Sequence, residues 1–224
     1  MNPVLRRFAQ IGVYILVQAL ALFLPAGRWN WAAGWAYLGL YLAFILLNAV
    51  LILPQGTALI EERGRAAVQF GWDRAVGFFM ALAGPGILVV AGFDERFGWS
   101  PAIAFGIRAG AFALMALGDG VFAWAMSTNQ FFSAVVRIQA ERGHTVVTGG
   151  PYRFVRHPGY AGMLLGALVT PLMLGSLWAL LPAVLLTSVF VFRTAREDAL
   201  LHNELAGYRE YAQRVRYRLL PGVW

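Results

Sequence analysis

Gly149-Gly150-Pro151-Tyr152-Arg153-Phe154-Val155-Arg156-His157-Pro158-Gly159-Tyr160 leads directly into an apolar run that pauses at Gly175 and continues to Phe192. Two Arg, one His, two Tyr, two Pro and three Gly thus stand at the mouth of a stretch fit for a bilayer. Polar groups held there can bring a polar cofactor to a lipid-soluble substrate. The same residue types also serve as interfacial anchors and helix starters, so an anchoring role stays open at this point.

Composition sets the environment. The chain has 224 residues, of which 59% are hydrophobic and only 13% charged, about half the charge share of a soluble domain. An integral membrane protein is expected, with no room for a sizeable soluble domain. The absence of Cys excludes disulfides, thiolate nucleophiles and Cys-ligated metal sites. His144, His157 and His202 have no metal-ligand spacing, so no metal is expected. All 18 basic residues are Arg, which removes lysine Schiff-base chemistry.

Six spans are predicted, at Phe8–Leu24, Trp31–Leu53, Ala75–Phe93, Pro101–Met126, Tyr160–Leu174 and Ser176–Phe192. The first four approach the roughly 20 residues that cross a bilayer. The last two are shorter and read as a tight helical hairpin around Gly175, with one long helix as the rival reading. Fifteen Arg then fall on the side of the termini and of loops 54–74 and 127–159, against Arg28 and Arg96 on the other. That asymmetry predicts cytoplasmic termini, and accounts for the net charge of +7 without nucleic acid. Arg6-Arg7 before an apolar run imitates a signal peptide, but Ala19-Leu20-Ala21 lies inside that run, so an uncleaved first span is expected.

The fold class is therefore all-α, a polytopic membrane helix bundle forming one domain. Residues 1–126 are read as a four-span scaffold and 127–224 as a cofactor-binding catalytic region. Gly34, Gly39, Gly77, Gly84, Gly106, Gly110 and Gly118 are candidates for close helix approach in lipid. Ser100-Pro101 reads as a helix start. Arg108 reads as a snorkelling charge, and Asp119 as either a buried acceptor or a site residue. Residues 129–143 read as an amphipathic piece on the cytoplasmic interface and 144–150 as β-prone and turn-ended. The basic tail reads as an amphipathic cytoplasmic helix on anionic lipid, which the acids Glu197-Asp198 do not suit. The hairpin would return those acids towards His157.

There is no Rossmann or P-loop glycine pattern and no Gly-x-Ser-x-Gly elbow. Arg and His donors, Tyr rings and paired acids suit a small zwitterionic, aromatic-bearing cofactor. G-P-Y-R-x-V-R-H-P-x-Y-x-G over 150–162, then the acidic pair and G-Y-x-x-Y-x-x-R-V-x-x-R-L-x-P over 207–221, resembles the isoprenylcysteine carboxyl methyltransferase family. This family of integral membrane enzymes is related to phospholipid N-methyltransferases. The likeness is strong over 129–224. Over the first four spans it is looser, where Glu62-Arg63-Gly64, Trp72-Asp73 and Asp94-x-Arg96-Phe97 look like bacterial members, implying a bacterial inner membrane.

The resemblance implies S-adenosylmethionine held by Tyr152, Arg156, His157, Pro158, Tyr160, Glu197 and Asp198, with Arg193 facing the reacting end of the acceptor. It also implies a lipophilic or lipidated acceptor arriving from the surrounding membrane lipids. Glu-Asp stands where many members have Glu-Glu, which changes the reach of Asp198. A carboxylate acceptor needs no base, whereas an amine, thiol or hydroxyl would need His157 or Asp119. Rival readings are a membrane NAD(P)H-dependent reductase of the sterol-reductase type and a non-enzymatic transporter or scaffold.

Overall fold

The computed structural model describes residues 3–52, 62 and 70–224. Arg63, Gly64 and Arg65, with most of loop 54–74, lie outside the described residues. Seven α-helices form among the described residues, and no strand. They are α1 (Pro3–Ala26), α2 (Ala32–Ile52), α3 (Gly71–Phe97), α4 (Phe105–Thr128), α5 (Pro158–Leu174), α6 (Leu180–Glu204) and α7 (Tyr208–Arg214). Of these, α1 to α4 are each long and apolar enough to cross a membrane. Their exposed faces carry Val13, Leu16, Leu42, Leu46, Phe78, Leu82, Ile107 and Leu117, the surface expected of helices whose solvent is lipid.

The closest packing is between α4 and α5. A side chain on Gly118 would stand 2.8 Å from the Gly162 carbonyl oxygen, and one on Gly162 would collide with the Gly118 carbonyl. Two backbones approach closely where small residues such as glycine stand at the contact. A parallel contact joins α3 to α1, where a Cβ on Gly92 would lie 2.6 Å from the Leu22 oxygen. Of the seven glycines predicted for close approach, Gly118 serves in this way, and Gly34 makes room for the Phe23 and Trp31 rings. Gly39, Gly77, Gly84, Gly106 and Gly110 meet no neighbour among the described residues. Composition marks small residues, but only packing shows which of them face a neighbour.

Helix α5 stops at Gly175, whose φ of +85° suits a residue without a Cβ. The chain turns through 176–179 into α6, and the two helices pack on each other. Ser176 and Ser100 both donate hydroxyl hydrogen bonds to the buried Asp94 carboxylate near the end of α3. The Ser100 hydroxyl in turn accepts from the Leu177 amide at 2.8 Å. This use of Ser100 corrects the Ser100-Pro101 helix start. Residues 101–104 are not helical, and α4 begins at Phe105.

One further expectation is overturned, since the β-prone residues 144–148 form no strand. Residues 129–143 are irregular apart from a 3₁₀ turn at Ala140–Arg142. Side chains capture the backbone groups that a helix would need: Asn129 Oδ1 takes the Phe131 amide, Ser133 Oγ the Val135 amide and Asp73 Oδ2 the Val136 amide. Buried Gln139 then donates to the Phe131 carbonyl at 2.7 Å and folds the segment back on itself. Arg193, Glu197 and Asp198 follow the predicted span 176–192 without a break in the helix. They lie within α6, which runs on to Glu204.

Candidate functional site

One end of the bundle gathers the start of α3, the end of α4, the start of α5 and the latter half of α6 around a cavity of about 260 Å³. Its wall includes Tyr152, Arg156, His157, Tyr160, Arg193 and Glu197, so six of the eight predicted site residues share one space. Pro158 and Asp198 are not among its lining residues. Phe122, Phe132 and Met163 form an apolar side of the same cavity, where Phe44 of α2 also packs.

Asp198 lies beneath this wall, 1% exposed. Arg156 grips it with two donors, Nε to Oδ1 at 2.8 Å and Nη2 to Oδ2 at 3.0 Å. Arg218 Nε donates to Oδ2 and the Tyr208 hydroxyl to Oδ1, each at 2.8 Å, and His157 Nε2 stands 3.2 Å from Oδ1. Burial opposes ionisation here. The hydrogen bonds from His157, Arg156 and Arg218 outweigh it and hold the carboxyl well below the usual carboxylate range. Burial and the Asp198 charge push the Tyr208 phenol up, so it remains a neutral donor.

Backbone pairing extends this centre. The Arg156 amide donates to the Tyr217 carbonyl at 2.9 Å, and the His157 amide to Arg218 at 2.8 Å. Arg156 Nη1 reaches the carbonyls of Val215 and Arg216. The Arg-His-Pro segment, the acid on α6 and the C-terminal tail are thus one hydrogen-bonded unit. Arg156 and Asp198 spend their polar atoms inside the protein, and their residue types alone do not reveal that.

Glu197 is the acid that faces the cavity, one residue and about 100° around the helix from Asp198. The Tyr160 hydroxyl donates to its Oε2 at 2.6 Å. Tyr152, fixed by the Asn129 amide at 3.1 Å and by the Tyr211 hydroxyl on its carbonyl at 2.6 Å, supplies a buried ring. His144 also lines the cavity. Burial, then the charges of Arg137 and Arg142, lower its pKa, so the ring is neutral at pH 7.

Arg193 is 5% exposed and does not reach out to lipid. Its Nη2 donates to the Ala134 carbonyl at 2.7 Å and stands 3.1 Å from Asp73 Oδ1, an ion-pair contact in which the hydrogen is directed elsewhere. Sequence reasoning placed Asp73 in the scaffold and missed this. The available signals were Trp72-Asp73 within the looser likeness and an acid in the first turn of a helix whose middle is apolar. Arg108 and Asp119 lie apart from the cavity lining. Arg108 Nε donates to the Met173 carbonyl at the opposite end of the bundle, and Asp119 keeps one buried carboxylate oxygen without a partner among the described residues.

Fold and site together define a multi-pass membrane protein with a polar, acid- and arginine-walled cavity at one end of its helices. Residues 111–203 match the family model described as the isoprenylcysteine carboxyl methyltransferase (ICMT) family. A probable protein-S-isoprenylcysteine O-methyltransferase of Oryza sativa subsp. japonica is 36% identical over 92 residues, covering 40% of this chain and 48% of that protein. The protein-S-isoprenylcysteine O-methyltransferase of Schizosaccharomyces pombe is 33% identical over 108 residues, covering 47% and 46%. An Arabidopsis thaliana relative, protein-S-isoprenylcysteine O-methyltransferase B, is 34% identical over 92 residues, covering 40% and 47%. The chain spans about half the length of the curated relatives it matches.

Proposed function

We propose that this protein is an S-adenosylmethionine-dependent membrane methyltransferase whose acceptor is the carboxylate of an isoprenylcysteine-like lipid. The observation that carries the reading is the meeting of Glu197, Tyr160 and Arg193 on one cavity wall within the family-matched region. The wall suits the cofactor chemically. Glu197, oriented by Tyr160, would hold an ammonium or ribose hydroxyls, and the rings of Tyr152, Tyr208 and Tyr211 would border a cationic centre. Pro158 and Asp198 would act from behind the wall, Asp198 by holding Arg156, His157 and Tyr208 in place.

When bound, the cofactor supplies an electrophilic methyl on a sulfonium. Arg193 would hold the acceptor carboxylate in line, and the apolar side formed by Phe122, Phe132 and Met163 would exclude water and take the lipid chain. A carboxylate needs no proton removed, so His157 can remain on Asp198 rather than act as a base. A guanidinium beside the reacting atom also disfavours an ammonium-bearing acceptor. In the bilayer, α5 and α6 would complete six spans with the cavity on the cytoplasmic side, following the Arg asymmetry, in a bacterial inner membrane.

The test uses detergent-purified protein, labelled S-adenosylmethionine and N-acetyl-S-farnesylcysteine. Base-labile label in the lipid is expected, marking a methyl ester. Arg193→Ala should abolish transfer while leaving S-adenosylhomocysteine affinity within about threefold. Absence of saturable S-adenosylhomocysteine binding would refute the reading.

A further inference from the structure

We infer that Asp73, in the first turn of α3 and outside the family-matched region, is a positioning residue that sets Arg193 for the acceptor carboxylate. The inference rests on the function proposed above and extends the site into the span region read as scaffold.

Asp73 is 3% exposed, and its carboxylate joins two walls of the cavity. Oδ2 accepts from the Val136 amide at 2.9 Å, and Oδ1 faces Arg193 Nη2 at 3.1 Å. The same Nη2 donates to the Ala134 carbonyl, Nη1 approaches the Met80 sulfur at 3.6 Å, and the Tyr160 ring lies 5.9 Å from the guanidinium carbon. One end of the guanidinium is therefore held by α3 and by residue 134, and one face by α5. Arg193 Nε is buried without a hydrogen-bond partner among the described residues. A buried donor left unpaired is unfavourable, and a carboxylate oxygen entering the cavity would relieve it.

Arginine recognises a carboxylate by a fixed fork of donors, so the direction of the fork matters as much as its charge. A lone arginine near a helix end in lipid turns towards headgroup phosphate. Asp73 supplies a compensating charge inside the protein and keeps Arg193 at the cavity. It also holds the 134–136 segment that accepts from the same guanidinium. Loss of Asp73 would free both at once and leave Glu197 with its Tyr160 partner in place.

The experiment measures binding of N-acetyl-S-farnesylcysteine and of its methyl ester, with S-adenosylhomocysteine saturating, to wild type, D73N, R193Q and the double variant. Wild type should favour the acid over the ester by tenfold or more. D73N and R193Q should each remove about tenfold of that preference. The double variant should lose no more than either alone, because both act through one guanidinium. Ester and S-adenosylhomocysteine affinities should stay within threefold, which a general loss of structure would not allow. Should D73N not fold, D73S, which keeps an acceptor for Val136, reads the same ratio. Retention of the acid preference in the Asp73 variant overturns the inference, as does additive loss in the double variant. Failure of wild type to bind S-adenosylhomocysteine defeats the proposed function itself, whereas cofactor binding with an unchanged ratio defeats only the role of Asp73.

Discussion

Asp198→Asn tests whether this acid organises the site from behind rather than binding the cofactor. Asparagine matches aspartate in shape, so packing is preserved while the charge goes and an amide donor is set among five existing donor contacts. Breaking a buried ion pair by removing one partner costs about 3–5 kcal/mol. Arg156 is buried, but the Arg218 side chain is one-third exposed and contributes less. We therefore expect the lower end, about 3 kcal/mol. For a chain of this length that lowers Tm by roughly 6–12 °C. The assay is thermal unfolding in detergent at several pH values. The folded-state pKa of Asp198 lies below its unfolded value, so its stabilisation is complete above about pH 5 and is lost only as pH falls through the folded value. The gap between wild type and variant should thus stay flat from neutrality down to about pH 5 and narrow in stronger acid. A variant melting within 2 °C of wild type would refute the reasoning, and so would a gap that closes near neutral pH.

The remaining predictions concern cofactor affinity, helix packing and acceptor holding. Glu197→Gln, at the cavity-facing acid, should weaken S-adenosylhomocysteine about tenfold, or about 1.4 kcal/mol, by calorimetry, with Tm nearly unchanged. Gly162→Ala forces a methyl group against the Gly118 carbonyl and should destabilise by about 1–3 kcal/mol, whereas Gly110→Ala, which meets no neighbour among the described residues, should not; equal effects would show that α4 and α5 do not meet there. Arg193→Ala should lose methyl transfer and retain S-adenosylhomocysteine. Equal loss of both would assign it to the cofactor or to folding.

Hydropathy and Arg placement are sums over long windows, and single-residue geometry barely affects them. The first four long helices, and the break at Gly175, were therefore legible in the chain. So were the residues that gather at the cavity, because Tyr152, Arg156, His157, Tyr160, Arg193 and Glu197 stand out against an apolar background. The direction of each side chain was not legible. Glu197 and Asp198 are adjacent and chemically alike, yet helical rotation turns one into the cavity and the other into a nest of donors. The 129–143 segment is amphipathic in sequence. It is not helical because Asn129, Ser133 and Asp73 take its amides, and Asp73 lies more than fifty residues earlier in the chain. Asp73 itself read as scaffold, since its partner Arg193 is 120 positions away. Periodicity and composition are local properties, whereas the pairing of buried charges is settled only when distant helices pack and exclude water from between them.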